Sequence, residues 1–204
     1  MPCFAEERID SNGRLVRYHT RIYAITPSSL TDRDVHECFG SVYLYNPGSA
    51  KGSSTWGPLT LGTDQTLTTI ERIFNKAISK TGRTYPDGYL QILNLCHYVS
   101  GNKVKAEVDF ASHGATQLES IHPNSRFIWV AWAQRLNLQG PLCQAIRDIE
   151  TSKKPAFCFD GRRKIVCPWD SSVCFPAHPV TAIYLRTKMP NYENDVACQM
   201  AKFL

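Results

Sequence analysis

Residues 41–51 read Ser-Val-Tyr-Leu-Tyr-Asn-Pro-Gly-Ser-Ala-Lys, and the turn in their middle decides how the rest of the chain is laid out. Val42, Tyr43, Leu44 and Tyr45 make a short β-prone run that stops at Asn46-Pro47-Gly48. Pro47 has no amide donor and a fixed φ, and Gly48 can take backbone angles closed to other residues, so the strand is expected to end in a tight loop. Such a loop carries the Asn46 side chain past the edge of a sheet. In open α/β sheets the crevice outside the carboxyl ends of the strands is where ligands bind. Taken alone, Asn-Pro-Gly is an ordinary turn, and its weight depends on what the other strand ends carry.

The next strand end is in residues 89–96, Tyr-Leu-Gln-Ile-Leu-Asn-Leu-Cys, apolar enough for a central strand buried on both faces. Asn94 interrupts it near the carboxyl end, and a buried Asn needs its amide satisfied by backbone or by a ligand. Further strands are expected over 15–25 and 126–132, with short ones over 155–159 and 165–167 and a β-prone stretch over 180–185. Leu67, Ile70, Phe74, Ala77 and Ile78 repeat at the three-four spacing of one helix face, as do Leu142, Ala145, Ile146 and Ile149. Asp64 is placed to cap the first of these helices. Residues 1–13 read as a polar N-terminal arm, 99–125 as loop and then weak helix, and the tail from 190 as a last helix. Strands alternating with helices predict an α/β fold over the whole of 1–204, a three-layer α/β/α sandwich around a central, mainly parallel sheet. Residues 51–62, rich in Gly, Ser and Thr, form a loop in which Trp56 is either an anchor packed on the core or an exposed stacking surface.

Composition narrows the class. The chain has 204 residues, 43% of them hydrophobic and 20% charged, and no run approaches the ~18 apolar residues of a membrane span. Glu6 and Glu7 stand where a signal peptide needs a basic start, so a cytoplasmic protein with no membrane partner is expected. The eight cysteines form no Cys-x-x-Cys pair. Cys158, Cys167 and Cys174 could be bent into a metal or iron–sulfur site, but their spacing matches no common pattern, and reduced core thiols are the better reading. His97 follows the buried strand and is a candidate to line a pocket, but neither it nor His113 nor His122 stands at a metal-ligand spacing with another. No metal and no cofactor are therefore expected. Net charge is +5, and residues 151–190 hold Lys153, Lys154, Arg162, Arg163, Lys164, Arg186 and Lys188 against Asp160 and Asp170. A basic sector of this kind is the footprint of a polyanion.

Three strand-end motifs now stand in order: Asn46-Pro47-Gly48, Asn94 within Leu-Asn-Leu, and His178-Pro179, with Trp-Val-Ala-Trp-Ala-Gln between the last two. Together they resemble the uracil-DNA glycosylase superfamily, in particular its mismatch-specific branch with Asn-Pro-Gly and an uncharacterised bacterial branch with a late His-Pro. The resemblance runs from about residue 41 to 188 through short, sparse motifs. It implies a uracil-DNA-glycosylase-like fold and a monomeric, monofunctional DNA N-glycosylase acting on double-stranded DNA. In that scheme Asn46 holds the water that attacks C1′ of the deoxyribose. Gly48 shapes the floor beside the 5-position of the base, Asn94 reads the flipped base, and His178 donates a hydrogen bond to the departing base. Tyr45 and Trp56 are candidate base contacts, and Asp64 is either a supporting catalytic carboxylate or a helix cap. Lys51, Arg162, Arg163 and Lys164 are candidate DNA contacts, together with Arg186 and Lys188, which follow Ile183, Tyr184 and Leu185, either an apolar wedge or a plain final strand.

The chain departs from the pattern in places. The fastest uracil-specific members carry an Asp where Asn46 stands, followed by an aromatic that excludes 5-substituted pyrimidines. Asn46 cannot act as a base, which implies slower chemistry, and Gly48 implies room beside C5. The expected substrate is accordingly an abnormal or 5-modified pyrimidine: uracil, a mispaired thymine, or glucosylated 5-hydroxymethylcytosine of phage DNA, the last placing the enzyme in antiviral defence. Val180-Thr181-Ala182 replaces the usual residues after His-Pro. A nucleic-acid-binding module that has lost catalysis and a nucleoside N-glycosidase are the alternatives.

Overall fold

The computed structural model describes residues 1–27, 36–52, 55–62, 64–83, 88–100, 102–113, 118–132, 139–172, 174–180 and 189–204. In chain order the elements are β1 (Cys3–Ile9), β2 (Leu15–Tyr23), β3 (Glu37–Leu44), β4 (Gly57–Pro58), α1 (Gln65–Thr81), β5 (Gly88–Asn94) and α2 (Lys103–His113). There follow β6 (Ile128–Val130), α3 (Gln139–Ser152), β7 (Ala156–Asp160), β8 (Ile165–Pro168) and α4 (Tyr192–Ala201). The strands form one sheet in the order β4-β1-β2-β5-β3-β6-β7-β8. Its centre, β5-β3-β6-β7, is parallel, with Leu44 beside Asn94 and Tyr43 beside Val130. Both flanks are antiparallel. The sheet is thus mixed, where the sequence predicts a mainly parallel one.

Period-two alternation distributes the side chains of the central strands to two cores. On one face Val42, Leu44, Ile92, Trp129 and Phe157 meet Leu67, Ile70, Ile73, Phe74 and Ala77 of α1 and Val196, Ala197 and Met200 of α4. On the other face Tyr43, Tyr45, Leu93, Ile128 and Val130 meet Ala145 and Ile149 of α3, with Phe110 of α2 packed alongside. Helices on both faces of a sheet make the expected three layers. Burial of each large apolar side chain contributes about 1.5–3 kcal/mol, so these two cores dominate the folding energetics. α1 stops at Gly82, whose φ of +64° is the left-handed close that glycine allows at a helix end.

Two local readings are corrected. Residues 1–13 are not an arm: Cys3–Ile9 is a strand paired on both edges, with β2 and β4. Its acids obscure the pattern, because Glu7 is buried only by virtue of a partner, Arg17, on the next strand. The loop-then-weak-helix reading of 99–125 misplaces a helix, which lies early in that stretch as α2. The β-prone stretch 180–185 lies outside the described residues except for Val180, which is helical with Pro179.

Candidate active site

All four parallel strands end on one rim. From β3 the chain passes through α1 to β5 on one side, and from β6 through α3 to β7 on the other, so the direction of winding reverses at β3 and β6. Such a reversal opens a crevice at the carboxyl ends. The Asn46-Pro47-Gly48 loop leaves β3 at this point.

A pocket opens beside that loop on the α1 face, lined by Arg17, Thr20, Leu44, Asn46, Pro47, Gly48, Thr66, Leu67, Ile92 and Asn94. Its enclosed part has room for roughly one water molecule. Asn46 and Asn94 therefore come together at the ends of neighbouring strands, both lining a single pocket. The Asn46 Nδ2 donates to the carbonyls of Pro47 (2.7 Å) and Ser100 (2.8 Å). Both amide hydrogens are thereby used, which fixes the orientation of the amide and leaves its oxygen as the atom the side chain can offer. Asn94 is 2% exposed, and its Oδ1 has no hydrogen-bond donor among the described residues. An orphaned buried acceptor costs about 1–3 kcal/mol, a debt that a ligand N–H or a water would relieve.

Gly48 and Asp64 explain each other. Gly48 does not use a left-handed backbone angle; its smallness serves a close approach. A Cβ on Gly48 would stand 2.1 Å from Asp64 Oδ2. Asp64, 3% exposed, caps α1: its Oδ1 accepts from the amides of Thr66 (3.1 Å) and Leu67 (3.0 Å), and its Oδ2 accepts from Ala50 N (3.1 Å). Of its two sequence readings the cap is the one observed, with the second oxygen tying the loop to the helix. The space above Gly48 is filled by that carboxylate, so the glycine makes room for Asp64.

Two pocket residues had no signal in the sequence. Arg17 and Thr20 come from β2 and reach the same face because the ladder with β1 shifts register between Phe4 and Glu6, where His19 takes a φ of +54°. The bulge inserts one residue, so positions three apart share a face. Arg17 is 1% exposed; its Nε (2.8 Å) and Nη2 (2.7 Å) donate to Glu7 Oε1, and Nη2 also donates to the carbonyl of Ala50. Glu7 Oε2 in turn accepts from Gly52 N (3.0 Å). The loop after β3 is thus held by Arg17, Glu7 and Asp64 at three backbone groups. Thr20 Oγ1, like Asn94 Oδ1, is buried without a partner among the described residues.

Other candidates fall elsewhere. Tyr45 points to the opposite face, where its hydroxyl donates to Glu107 (2.7 Å), so it is not a base contact in this pocket. Trp56 stacks on Phe4 with centroids 5.9 Å apart and packs beside Tyr23, Cys38 and Tyr89, at the amino ends of the parallel strands. It is the core anchor, not a stacking surface at the rim. His178 does stand on the rim, reached through the Asp160–Pro176 bridge at the end of β7. One strand, β6, lies between β7 and β3, two sheet spacings or about 10 Å, and His178 does not line the pocket. Its Nδ1 accepts from Val180 N (3.3 Å), so the neutral ring carries its hydrogen on Nε2 and can donate from there. The β7–β8 turn holds Arg162, Arg163 and Lys164 exposed on the same rim, with Asp160 Oδ1 accepting from the amides of the first two. Lys51 is exposed on the loop beyond Gly48. Ile183, Tyr184, Arg186 and Lys188 lie outside the described residues.

His97 follows the carboxyl end of β5 and is not among the residues that line the pocket. It is fully buried, its Nδ1 donates to the Arg17 carbonyl (2.9 Å), and its ring stacks on Tyr18 at 4.2 Å. Burial outweighs the nearby Glu119 and lowers its pKa below the ordinary 6.5. The unfolded chain therefore binds the proton that the folded chain refuses. Stability is expected to fall as pH drops below about 6.5, with this residue contributing a slope of up to ~1.4 kcal/mol per pH unit. Urea midpoints measured across that range should flatten in His97→Gln, and an unchanged slope would assign the effect to other groups.

Comparison with family models, with curated proteins and with solved structures finds no match for this chain.

Proposed function

We propose that the protein is a DNA glycosylase of the uracil-DNA-glycosylase type, which hydrolyses the N-glycosidic bond of an abnormal pyrimidine in duplex DNA and leaves an abasic site. The observation that carries this reading is that Asn46 and Asn94 line one pocket at the ends of adjacent parallel strands. Breaking the glycosidic bond builds positive charge on the sugar and negative charge on the base, and fixed dipoles aimed at those atoms stabilise the separation. The Asn46 oxygen, its amide hydrogens already anchored, is the acceptor that holds a water for attack on C1′. The Asn94 oxygen lacks a donor and takes an N–H from the base edge, the N3–H of uracil or the exocyclic amine of cytosine. His178 Nε2 donates to the departing base once the rim closes on DNA. Arg162, Arg163, Lys164 and Lys51 supply phosphate contacts beside the cleft. The base must leave the helix stack to enter, and a cleft sized for about one water has to widen to take it.

The test is base release from duplex oligonucleotides and phage DNAs containing uracil, a thymine mispair, 5-hydroxymethylcytosine and its glucosylated forms, with abasic sites revealed by alkaline cleavage. Release from one member names the substrate; release of uracil alone would agree with Asp64 filling the space over Gly48. Asn46→Ala is expected to lower the rate by about 10²-fold, the usual effect of removing one preorganised polar contact. Asn46→Asp is expected to fall with it, because a carboxylate oxygen would face the Pro47 and Ser100 carbonyls in place of the Nδ2 donor. DNA binding with no release from any substrate would make the protein a binding module instead.

A further inference from the structure

We propose that Cys158, Cys167 and Cys174 form a binding site for a thiophilic metal ion, with Zn²⁺ the ion that the sulfur spacing fits. The sequence spacing of these residues matches no common metal pattern; the fold brings them together. Cys158 of β7 and Cys167 of β8 are direct cross-strand partners, and their sulfurs stand 3.8 Å apart. The chain then turns back through Asp170, whose carbonyl accepts from Cys174 N (2.9 Å) and whose Oδ1 accepts from Ser172 N (2.8 Å). This returns Cys174 to within 3.7 Å of Cys167, and all three sulfurs lie within 4.8 Å of one another.

The distances select the chemistry. A disulfide needs sulfurs about 2.05 Å apart, far closer than these. A tetrahedral ion with metal–sulfur bonds of about 2.3 Å places its sulfur ligands ~3.8 Å apart, which two of the three pairs already match. Three soft donors favour Zn²⁺ or Cu⁺ over Mg²⁺ or Ca²⁺, which take oxygen ligands. No fourth Cys, His, Asp or Glu joins the group among the described residues, so a solvent molecule completes the tetrahedron. Cys158 and Cys174 are buried while Cys167 is half-exposed, which gives the ion a path of entry. On binding, each thiol releases its proton to solvent as its sulfur takes up the ion; no oxidant or reductant is involved. The ion clips the β7–β8 hairpin to the segment that leads, four residues later, into His178. This inference does not rest on the glycosylase reading.

Anaerobic titration of the fully reduced protein with Co²⁺ tests it. The expected result is saturation at one Co²⁺ per chain, with thiolate-to-cobalt charge-transfer absorption and the strong visible bands of tetrahedral coordination, all erased by Zn²⁺. Cys167→Ser, at the half-exposed position least able to disturb the fold, is expected to weaken Co²⁺ binding by at least about tenfold. Cys143→Ser and Cys198→Ser, at exposed positions, should leave the spectrum unchanged. Three outcomes would overturn the proposal. They are no charge-transfer band from folded protein in which all eight thiols titrate as free, a band that survives Cys167→Ser at full affinity, or a band lost in Cys143→Ser.

Discussion

Glu7→Ala is expected to destabilise the protein by about 3–5 kcal/mol, the loss typical of breaking a buried ion pair from one side. Glu7 and Arg17 have side chains only 6% and 1% exposed, and their pairing is the sole charge balance each has among the described contacts. Removing the carboxylate leaves a guanidinium in the core and orphans the Gly52 amide as well. The damage reaches the site directly, because Arg17 lines the pocket and also holds the Ala50 carbonyl. Replacing both charges with apolar groups of similar length, Glu7→Leu with Arg17→Met, should recover much of the stability, since no uncompensated charge then remains. Urea unfolding of the two single variants and the double variant measures this. A single-variant loss below about 1 kcal/mol would mean that water reaches the pair and screens it.

Gly48→Ala comes second, with an expected loss of about 1–3 kcal/mol. One methyl group ordinarily matters little on a loop, but here its carbon would overlap the Asp64 carboxylate at 2.1 Å. That carboxylate cannot swing aside freely, since three backbone amides hold it. Either the cap of α1 is lost, at about 0.5–2 kcal/mol, or the loop that carries Asn46 shifts with the 1–3 kcal/mol strain of overpacking. A double-mutant cycle isolates the contact. In an Asp64→Ala background the added methyl has space, so Gly48→Ala should then be nearly neutral. An equal penalty in both backgrounds would refute the account given for Gly48.

Much of the frame can be read without coordinates because its signals are local. Helix α1 declares itself through the spacing of Leu67, Ile70, Phe74 and Ala77 with Asp64 ahead of them, and β3 and β5 declare themselves as apolar runs. The end of each run in an asparagine already marks Asn46 and Asn94 as rim residues. β1 escapes the same reading because its acids look like solvent-facing charge until Arg17 is known to lie across from Glu7. Trp56 and Tyr45 stand near the motif in sequence but not at the pocket, one drawn to the amino ends of the strands and the other turned to the α3 face by strand alternation.

The amino-acid sequence by itself therefore determined the α/β class, the two amphipathic helices α1 and α3, and the pair of asparagines at strand ends. Periods of 2 and 3.6 and the chemistry of turns act within a few residues. Tertiary structure alone decided the antiparallel flanks of the sheet and the bulge at His19 that delivers Arg17 and Thr20 to the pocket. It also decided the carboxylate above Gly48 and the meeting of Cys158, Cys167 and Cys174. Each of these depends on which strands become neighbours and in what register, a choice made by the burial of both cores together and not by any stretch of chain on its own.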